Sequence, residues 1–504
     1  MYDMAIIGGG MAGMATAARL AARGFSTVVL EGHSLPGGCA GFYRRKGFSF
    51  DVGATTLVDF EPDGVGGRFL KSIGIDSLEA EFLPGYLAWL PHRCVTLFRD
   101  QAMWRSHRLE VFGDDARHRK FWRMVDRLAD VFWRTARRGG SMPIRNLGDA
   151  VRAAGAIGPA NLGLTRYLRW TMGDLLRHCG LRDDRALVAL LSMLIEDTVH
   201  STLDSAPLIN AALGITIRGA GLTRPVGGMR GFWMKLASRY RELGGELRAR
   251  SEVEKVERRG DGFLIHTAKG HVQATQVISA VPAATTCRIA PPKVAESLSP
   301  YVQRDLAAMG GAMVVFLGVP ESEVEGQTFT HHQLMHDDDR PLGDGNNMFV
   351  SVSSAGDLQS APAGWRSVMI STHCELSAWE NLPADDYALK KRAAGDRLIA
   401  LARRVYPNLG RAARVIEVAT PRSYAHFTRR PRGAVGGVRL TLRNSNQHAI
   451  GHASAMRGFW LVGDTTWPGL GTVACLLGSQ IVAEGAAALA RRDRTPMKEL
   501  AYAR

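Results

Sequence analysis

The chain has 504 residues, more than one compact core usually holds, and this length predicts two connected domains. Hydrophobic residues make up 46% of it and charged residues 22%, a balance that excludes a wholly disordered protein. The formal net charge of +15 fits an anionic membrane or ligand, and equally a general preference for Arg. No zinc finger, RNA-binding aromatic motif or basic zipper accompanies the charge, so no nucleic acid partner is expected.

The six cysteines are scattered and form no pair with metal-ligand or redox spacing, which is typical of a reduced, cytosolic protein. The first residues, Met1, Tyr2 and Asp3, lack the basic region of a secretory signal peptide. The longest clean apolar stretch, residues 186–195, is about half of the ~20 residues needed to span a bilayer. We therefore expect a cytoplasmic protein that is soluble or peripheral to the membrane.

A strand, a tight turn, a helix and a second strand follow one another at the start of the chain. Residues 4–7 are apolar, residues 8–13 read Gly-Gly-Gly-Met-Ala-Gly, residues 14–22 are Ala-rich, and residues 27–30 form a second apolar run. This order predicts a dinucleotide-binding βαβ unit.

Each glycine of the turn has a physical task. Gly8 permits the tight turn, Gly10 lets the backbone approach a pyrophosphate, and Gly13 lets the helix pack closely on the strand. The helix N-terminus supplies unpaired N–H groups and the positive end of its dipole to the phosphates. Glu31, which ends the second strand, is placed to accept hydrogen bonds from the adenosine ribose.

A second glycine-rich stretch follows closely, with Gly37, Gly38 and Gly41 and then residues 47–53. A nicotinamide dehydrogenase has no need of such a loop, whereas an extended FAD runs past it toward the isoalloxazine ring. The stretch therefore favours FAD over NAD. The chain has no second GxGxxG motif of Rossmann form, so we expect no dedicated nicotinamide domain.

Gly463 and Asp464 follow a predicted strand at residues 459–462, and a helix is predicted from about Thr472. We interpret Asp464 as a hydrogen-bond acceptor for the ribityl chain or the pyrophosphate, in preference to a simple helix cap. The N-terminus of the helix would face the flavin N1–O2 position. Negative charge grows there when the ring is reduced, so the helix dipole favours reduction.

Five motifs, in their order and spacing, make the chain resemble the carotenoid desaturase and isomerase family of flavoproteins, the phytoene desaturase-like group. The motifs are residues 8–57, residues 225–229 with 243–247, residues 252–256 with 277–282, Thr420 and Pro421 with Gly433, Gly436 and Gly437, and residues 461–471. Cys39 stands where bacterial phytoene desaturases usually carry Arg, and Trp467 stands where they often carry His. This form is similar to the carotenoid isomerase and later-step desaturase wing of the family.

The resemblance implies an FAD-dependent oxidoreductase that desaturates or isomerises a hydrophobic polyene or isoprenoid, and it implies a contact between adenine and the backbone of Val253. Such chemistry needs an apolar tunnel more than a catalytic side chain, so no catalytic residue is assigned. The cofactor-binding residues predicted from the motifs and the resemblance are Gly8, Gly10, Met11, Ala12, Gly13, Glu31, Gly37, Gly38, Cys39, Ala40, Val253, Gly463, Asp464, Gly471, Thr472 and Val473.

Two other classes share this FAD fold. A flavin amine oxidase would require an aromatic cage and a polar entry to its active site. A non-enzymatic protein similar to the prenyl-protein escort proteins is the second alternative, and the intact phosphate loop, Glu31 and Asp464 argue against it. The oligomeric state is left open.

The predicted fold is α/β, with a Rossmann-like FAD-binding domain of glutathione-reductase type and an interleaved α+β substrate domain. The FAD domain is expected at residues 1–60, 226–285 and 440–492, the substrate domain at residues 61–225 and 286–439, and a poorly ordered tail at 493–504. Residues 244–282 are predicted as an inserted meander. Residues 314–317 and 367–370 are predicted as strands of a sheet that covers the flavin.

Three weaker patterns have simpler interpretations. His331, His332 and His336 precede Asp337, Asp338 and Asp339, but a solvated loop is preferred to a metal site, and no metal is expected. Cys39 and Cys475 are interpreted as small core residues. Glu196 and Asp197 are interpreted as a polar helix end rather than as an acid or base.

Residues 117–138 read as an amphipathic helix with Phe121, Val125, Leu128 and Phe132 on one face. Dense positive charge and nearby tryptophans accompany it, and they predict docking of the substrate domain on the cytoplasmic face of a membrane. The alternative is that the apolar face packs on the protein core. The charged and aromatic residues of this prediction are Arg119, Lys120, Arg123, Arg127, Arg134, Arg137, Arg138, Trp104, Trp122, Trp133 and Trp170.

Overall fold

The computed structural model describes residues 1–216 and 222–501, with side chains as far as residue 493. The strands of these residues are β1 Tyr2–Ile7, β2 Thr27–Leu30, β3 Phe42–Arg45, β4 Phe48–Asp51, β5 Leu57–Val58, β6 Ala80–Leu83, β7 Gly85–Trp89, β8 Cys94–Phe98, β9 Leu222–Pro225, β10 Glu246–Arg248, β11 Val253–Arg259, β12 Gly262–Thr267, β13 Gly270–Ser279, β14 Gly311–Pro320, β15 His331–Met335, β16 Asn347–Val352, β17 Trp365–Cys374, β18 Val415–Ala419 and β19 Phe459–Leu461.

The α-helices of the same residues lie mostly between these strands. They are α1 Met11–Ala21, α2 Val65–Ser72, α3 Gln101–Phe112, α4 Ala116–Arg137, α5 Leu147–Ile157, α6 Met172–Cys179, α7 Arg185–Val199, α8 Leu208–Thr216, α9 Gly228–Glu242, α10 Ala283–Ile289, α11 Pro292–Asp305, α12 Ala384–Ala402, α13 Pro421–Thr428 and α14 Thr472–Ala501. The mixture confirms the predicted α/β class with a Rossmann-like unit.

A parallel sheet forms the centre of the nucleotide-binding unit, in the order β10, β2, β1, β13, β19. Helices α1, α9 and α14 pack on one face of it. All four residues of β2 are buried, as expected for a parallel strand covered on both faces. The strands predicted at residues 4–7 and 27–30 are confirmed, and the helix between them begins at Met11, three residues before the predicted start.

Strand β13 takes part in both the antiparallel meander and the parallel portion of the first sheet. Its first half pairs antiparallel with β12, which pairs with β11, and this is the meander predicted in residues 244–282. Its second half lies between β1 and β19 in the parallel sheet. The meander therefore extends directly from the sheet whose carboxyl edge carries the phosphate loop.

A second sheet has the strand order β18, β14, β17, β16, β15, β7, β8. Strands β14 and β17 confirm the strands predicted at residues 314–317 and 367–370. Alternate residues point to opposite faces because the side-chain period of a strand is two. Met313, Val315 and Leu317 pack in the core that also holds residues of α12, whereas Val314 and Phe316 face the opposite side.

Helices α3 to α8 form a helical layer that shares one hydrophobic core with strands β7 and β8. In α4, Phe121, Val125 and Leu128 are 0% exposed, and Trp122 is 1% exposed. The apolar face of this helix therefore packs on the protein and cannot contact a bilayer. The interpretation of this face as a membrane-docking surface is wrong, because the periodicity of a docking helix and of a core helix is the same.

A buried ion pair connects the short strands β4 and β9 beside the nucleotide-binding unit. The guanidinium of Arg224, in β9, lies 3.1 Å from the carboxylate of Asp51, in β4, and the side chain of each residue is only 4% exposed. The other oxygen of Asp51 accepts the backbone N–H of Met229 at the start of α9. One carboxylate thus fixes a hairpin, a strand and a helix relative to one another.

Helix α14 runs through most of the predicted tail and ends at Ala501, and residues 502–504 lie outside the described part of the chain. Within the described residues, its segment Thr472–Asp493 is long and apolar enough to cross a membrane, but 56% of that window is buried in the protein. Leu476 and Val482 lie in the core shared with α1. We interpret α14 as a core helix. The predicted domain boundaries are not tested by these observations and stay a prediction.

Candidate flavin and substrate cavity

A cavity of about 860 Å³ lies between the carboxyl edge of the parallel sheet and the second sheet. The open edge of a parallel sheet is where nucleotide cofactors bind in α/β folds. The phosphate loop lines one end of this cavity, and Val314 and Phe316 of the second sheet line the other. A single space therefore connects the predicted cofactor site with an apolar wall.

The phosphate loop has the geometry that its glycines predict. Gly8 has φ +100°, a conformation that L side chains rarely adopt. A Cβ on Gly13 would lie 2.0 Å from the carbonyl oxygen of Gly8, so only glycine permits this packing of helix on strand. At Gly10, by contrast, no described atom lies within 4 Å of a Cβ position. The space beside Gly10 is open and faces the uncapped N-terminus of α1, which fits a phosphate group.

Glu31 holds the phosphate loop as well as lining the cavity. One carboxylate oxygen accepts the backbone N–H of Gly9 at 2.6 Å, and the other accepts that of His33 at 2.7 Å. Burial raises the pKa of Glu31, and the two backbone donors oppose that rise. Each oxygen retains a second lone pair, so the predicted contact with ribose hydroxyls is compatible with these bonds.

The second glycine-rich loop is fastened onto the first. The backbone N–H of Gly37 donates to the carbonyl of Gly9 at 2.9 Å, and the indole N–H of Trp233 donates to the carbonyl of Ala40 at 2.7 Å. Gly37 has φ +133°, and a Cβ there would lie 2.6 Å from the Cα of Gly41. Glycine at this position therefore lets the two loops form one continuous wall.

The carboxylate of Asp464 lies 2.9 Å from the guanidinium of Arg430, and both residues line the cavity. The guanidinium also donates to the carbonyl of Ala434 at 2.6 Å. The pKa of Arg430 is raised by Asp464, against the opposing effect of its burial. The sequence reasoning did not identify Arg430, because it lies in a run of arginines that reads as solvated and its partner lies far along the chain.

Most predicted cofactor residues line this one cavity. Gly13 does not, since its role is packing beneath the loop, and neither does Val253, which is 7% exposed and lies in a hydrophobic core. The adenine contact of the Val253 backbone stays a prediction. The predicted residues along the wall are Gly8, Gly10, Met11, Ala12, Glu31, Gly37, Gly38, Cys39, Ala40, Gly463, Asp464, Gly471, Thr472 and Val473.

The wall opposite the phosphate loop is mainly apolar and aromatic. Phe316 packs edge-on against Tyr43 with ring centroids 5.0 Å apart, and Phe349 lies on β16, two strands away in the same sheet. Burial raises the pKa of Cys39 and of Cys475, so neither thiol is an activated nucleophile. Such a wall suits an extended hydrocarbon better than a charged substrate.

A pair of histidines lies in this wall, which His331 of β15 also lines. His200, at the end of α7, and His373, in β17, have ring centroids 4.6 Å apart at an interplanar angle of 69°. Asp197 and Thr198 of α7 also line the cavity, so the end of this helix belongs to the cavity wall. The sequence reasoning missed both histidines, because no local pattern joins a helix end to a strand so far along the chain.

The histidine-rich segment is a strand, not the solvated loop that was predicted. Residues His331–Met335 form β15 and are all buried. The ring of His332 contacts the hydroxyl of Tyr406 at 2.9 Å, and burial lowers its pKa to about 4. Bonds to Tyr406 and to the indole of Trp89, both distant in sequence, satisfy the ring of His332, which local composition cannot show.

One group of three carboxylates in the described ranges could hold a metal by geometry alone. Asp337, Asp338 and Asp339 have ligand oxygens within 4.8 Å of one another. Arg185 forms ion pairs with Asp338 and Asp339. The cluster lies outside the cavity lining and is already neutralised in part by this arginine.

Comparison with known proteins is consistent with this cavity. Residues 6–73 match the model for an NAD(P)-binding Rossmann-like domain, and residues 177–411 match the model for flavin containing amine oxidoreductase. The chain is 25% identical to the chloroplastic prolycopene isomerase of Daucus carota, over 100% of this chain and 83% of that protein. It is 23% identical to the lycopene-forming phytoene desaturase of Paracoccus sp., over 92% of this chain and 93% of that protein.

Among solved structures, cyclohexylamine oxidase from Brevibacterium oxydans has the same fold, with a TM-score of 0.63 and 14% identity over 98% of this chain and 99% of that one. The fold and the cavity define a flavin-dependent oxidoreductase. The chain belongs to the carotenoid desaturase and isomerase family of these enzymes.

Proposed function

We propose that this enzyme binds FAD and acts on a hydrophobic polyene or isoprenoid, by desaturation or by flavin-mediated isomerisation. The observation that carries the proposal is the single cavity that joins the phosphate loop to an apolar aromatic wall. The polar groups of a polar substrate would lose their water against such a wall and find few hydrogen-bond partners there. A polyene would instead bury apolar surface, which stabilises the complex by about 25 cal/mol per Å².

The residues of the cavity fit FAD rather than a smaller flavin. The open space at Gly10 and the N-terminus of α1 accept a pyrophosphate, and Glu31 lies beyond them on the ribose side. Asp464 and the N-terminus of α14 would adjoin the ribityl chain and the ring. When bound, the flavin supplies hydride transfer to or from the polyene. The protein aligns the polyene, excludes water and handles protons.

Similarity to the prolycopene isomerases supports isomerisation as the first reaction to test. The carrot enzyme matches the whole of this chain, and Cys39 and Trp467 give the motifs an isomerase-like or later-step desaturase-like form. Desaturation uses the same cavity and differs in whether the reaction removes two electrons from the polyene. The absence of a second GxGxxG motif supports a redox partner other than NAD(P)H at a dedicated domain.

A competition between substrate classes tests the proposal. Enzyme loaded with FAD is incubated with a panel of cis and partly saturated polyenes and, separately, with primary amines and diamines. Chromatography detects altered polyenes, and a peroxidase-coupled assay detects hydrogen peroxide released from amines. Altered polyenes without peroxide from amines support the proposal. Peroxide from amines with every polyene unchanged would replace it with an amine oxidase function.

We also propose that the enzyme works at the cytoplasmic face of a membrane, because a water-insoluble substrate enters from lipid. The apolar face of α4 is buried, so the docking surface is assigned to residues 145–169 beside it. Leu147 is 81% exposed and Val151 is 65% exposed, one helical turn apart on α5. Arg145 and Arg166 are exposed in the same segment and complement anionic headgroups.

A further inference from the structure

His200 and His373, the histidine pair, are polar residues of the cavity that have no role in the predicted cofactor site. Both rings line the cavity, and neither ring nitrogen of either residue has a hydrogen-bond partner in residues 1–216 and 222–501. Both side chains are only partly buried, so their ring nitrogens are accessible from the cavity. Two adjoining rings whose nitrogens are free to contact a ligand therefore indicate a task for them in the cavity.

The position of His200 is fixed by its surroundings. His200 ends α7 in the left-handed region, at φ +58°. Gly436 packs against the ring so closely that a Cβ there would lie 2.0 Å from the imidazole Cε1. Gly437, the next residue, packs equally closely against the backbone of Asp464. The histidine pair and the flavin-contacting acid thus lie on opposite sides of one short glycine segment.

We propose that the histidine pair is the proton-transfer site of the cavity, with a ring nitrogen of His200 as the proton acceptor and donor. The inference rests on the proposed function. In desaturation, an allylic carbon would lose a hydride to the oxidised flavin, and the C–H bond of the neighbouring carbon then breaks. Its electron pair becomes the new C=C bond, and the proton goes to the imidazole. In isomerisation the neutral ring takes a proton from an allylic carbon of the polyene and returns it to the same conjugated system, with no net oxidation.

The charges around His200 suit a base that starts neutral. Burial lowers the pKa of His200 well below the usual range, and His373, Arg439 and Arg430 lower it further. Asp197 on the same helix, Asp464 behind Gly437 and Glu417 of β18 are acidic residues of the cavity lining, and Lys391 and His331 also line it. An imidazolium formed here is destabilised, so the ring returns its proton readily.

Two variants and one matched control test the pair. His200→Asn tolerates the left-handed backbone but supplies no basic nitrogen, and His373→Gln removes the second ring. The control is His271→Gln. His271 forms a similar ring pair with His266, with centroids 4.5 Å apart at 75°, on an exposed hairpin outside the cavity lining. All four proteins are first compared for FAD occupancy and thermal stability, which the proposal expects to be alike.

Each FAD-loaded protein is then given a polyene that the wild type converts, in D₂O, across a range of pH. Deuterium in the product and in recovered substrate, and the pH dependence of conversion, are measured. Signals of ¹⁵N-labelled imidazole in the flavin-free proteins report the protonation of His200 independently. We expect His200→Asn and His373→Gln to lower the conversion rate at least 100-fold and to abolish deuterium exchange. Wild-type conversion should fall only below the usual histidine range.

The outcomes separate this inference from the function on which it rests. If the wild type converts no polyene, the proposed function fails. If the wild type converts a polyene and both variants retain its rate, its deuterium exchange and its pH profile, only the proton-transfer assignment is overturned. An ¹⁵N titration that shows His200 protonated at neutral pH would also overturn it. The assignment would also be overturned if the His271→Gln control lost as much activity as the His200→Asn and His373→Gln variants.

Discussion

The guanidinium of Arg430 lies 2.9 Å from the carboxylate of Asp464, and this contact joins the segment after α13 to the loop after β19. The side chains of Arg430 and Asp464 are only 11% and 18% exposed. Removal of one partner from a buried pair typically costs about 3–5 kcal/mol, because the other charge is left uncompensated. The pair therefore holds the predicted ribityl-binding acid in place.

Arg430→Met is expected to weaken FAD binding at least tenfold, which corresponds to about 1.4 kcal/mol. Flavin fluorescence during titration of the flavin-free protein measures the dissociation constant. Arg432→Met is the matched control, because Arg432 forms a more exposed pair with Glu380, 37% and 33% exposed, and such pairs contribute about 0–1 kcal/mol. Equal affinity of both variants for FAD would show that Arg430 does not support the cofactor site.

Gly10→Val and Gly13→Ala are expected to fail in different ways. A Cβ on Gly10 meets no described atom, so the flavin-free variant should unfold at the wild-type temperature, yet it should retain little FAD. A Cβ on Gly13 clashes with the carbonyl of Gly8, so Gly13→Ala should lose stability by about 1–3 kcal/mol. Thermal unfolding and bound flavin are measured for both. Full flavin occupancy in Gly10→Val would mean that the pyrophosphate lies elsewhere.

Acid is expected to destabilise the protein through His332. Its ring is neutral when folded, with a pKa of about 4, whereas the unfolded ring titrates near 6.5. The unfolded state therefore binds the extra proton first. This stabilising contribution to the free energy of unfolding is complete above pH ~6.5. It is lost as the pH falls toward ~4, by about 3 kcal/mol in all. His332→Gln should reduce the pH dependence of the unfolding free energy in this window, and exposed His178→Gln should leave it unchanged.

Membrane docking is expected to depend on residues 145–169. The protein should sediment with anionic liposomes at low salt, less at high salt, and poorly with neutral liposomes. The double variant Leu147→Gln, Val151→Gln should pellet less than the wild type. Leu389→Gln, at a 71% exposed position on α12, should not differ from it. Negligible pelleting of the wild type in every condition would show that the protein does not dock on these membranes.

Local patterns were sufficient for the βαβ unit, the meander and the strands at residues 314–317 and 367–370. Their apolar spacing and their glycines are determined by neighbours a few residues away. The predicted cofactor residues that line the cavity, among them Gly8 and Val473, were identified from motifs for the same reason. Residues 331–335 were misread, because bonds to partners such as Tyr406 satisfy these polar side chains only in the folded chain.

Three other features were misread or missed in the sequence for the same reason. They are the buried apolar face of α4, the pair Arg430–Asp464 and the pair His200–His373. Each depends on tertiary packing between segments far apart in sequence, and no periodicity within a segment indicates its partner. Of the side chains that the motifs missed, Arg430 pairs with Asp464 beside the predicted cofactor site, whereas His200 and His373 lie in the wall assigned to the substrate.

Anaerobic incubation of one polyene with oxidised and with reduced enzyme, in parallel, decides whether this enzyme acts on polyenes. The flavin spectrum and the polyene products are followed together. We expect conversion in one of two patterns. Flavin bleaching in step with a more conjugated product indicates desaturation. A cis–trans change that needs reduced flavin and leaves its spectrum unchanged indicates isomerisation. An FAD-loaded enzyme that neither alters any polyene nor changes its flavin spectrum on polyene addition would contradict the account.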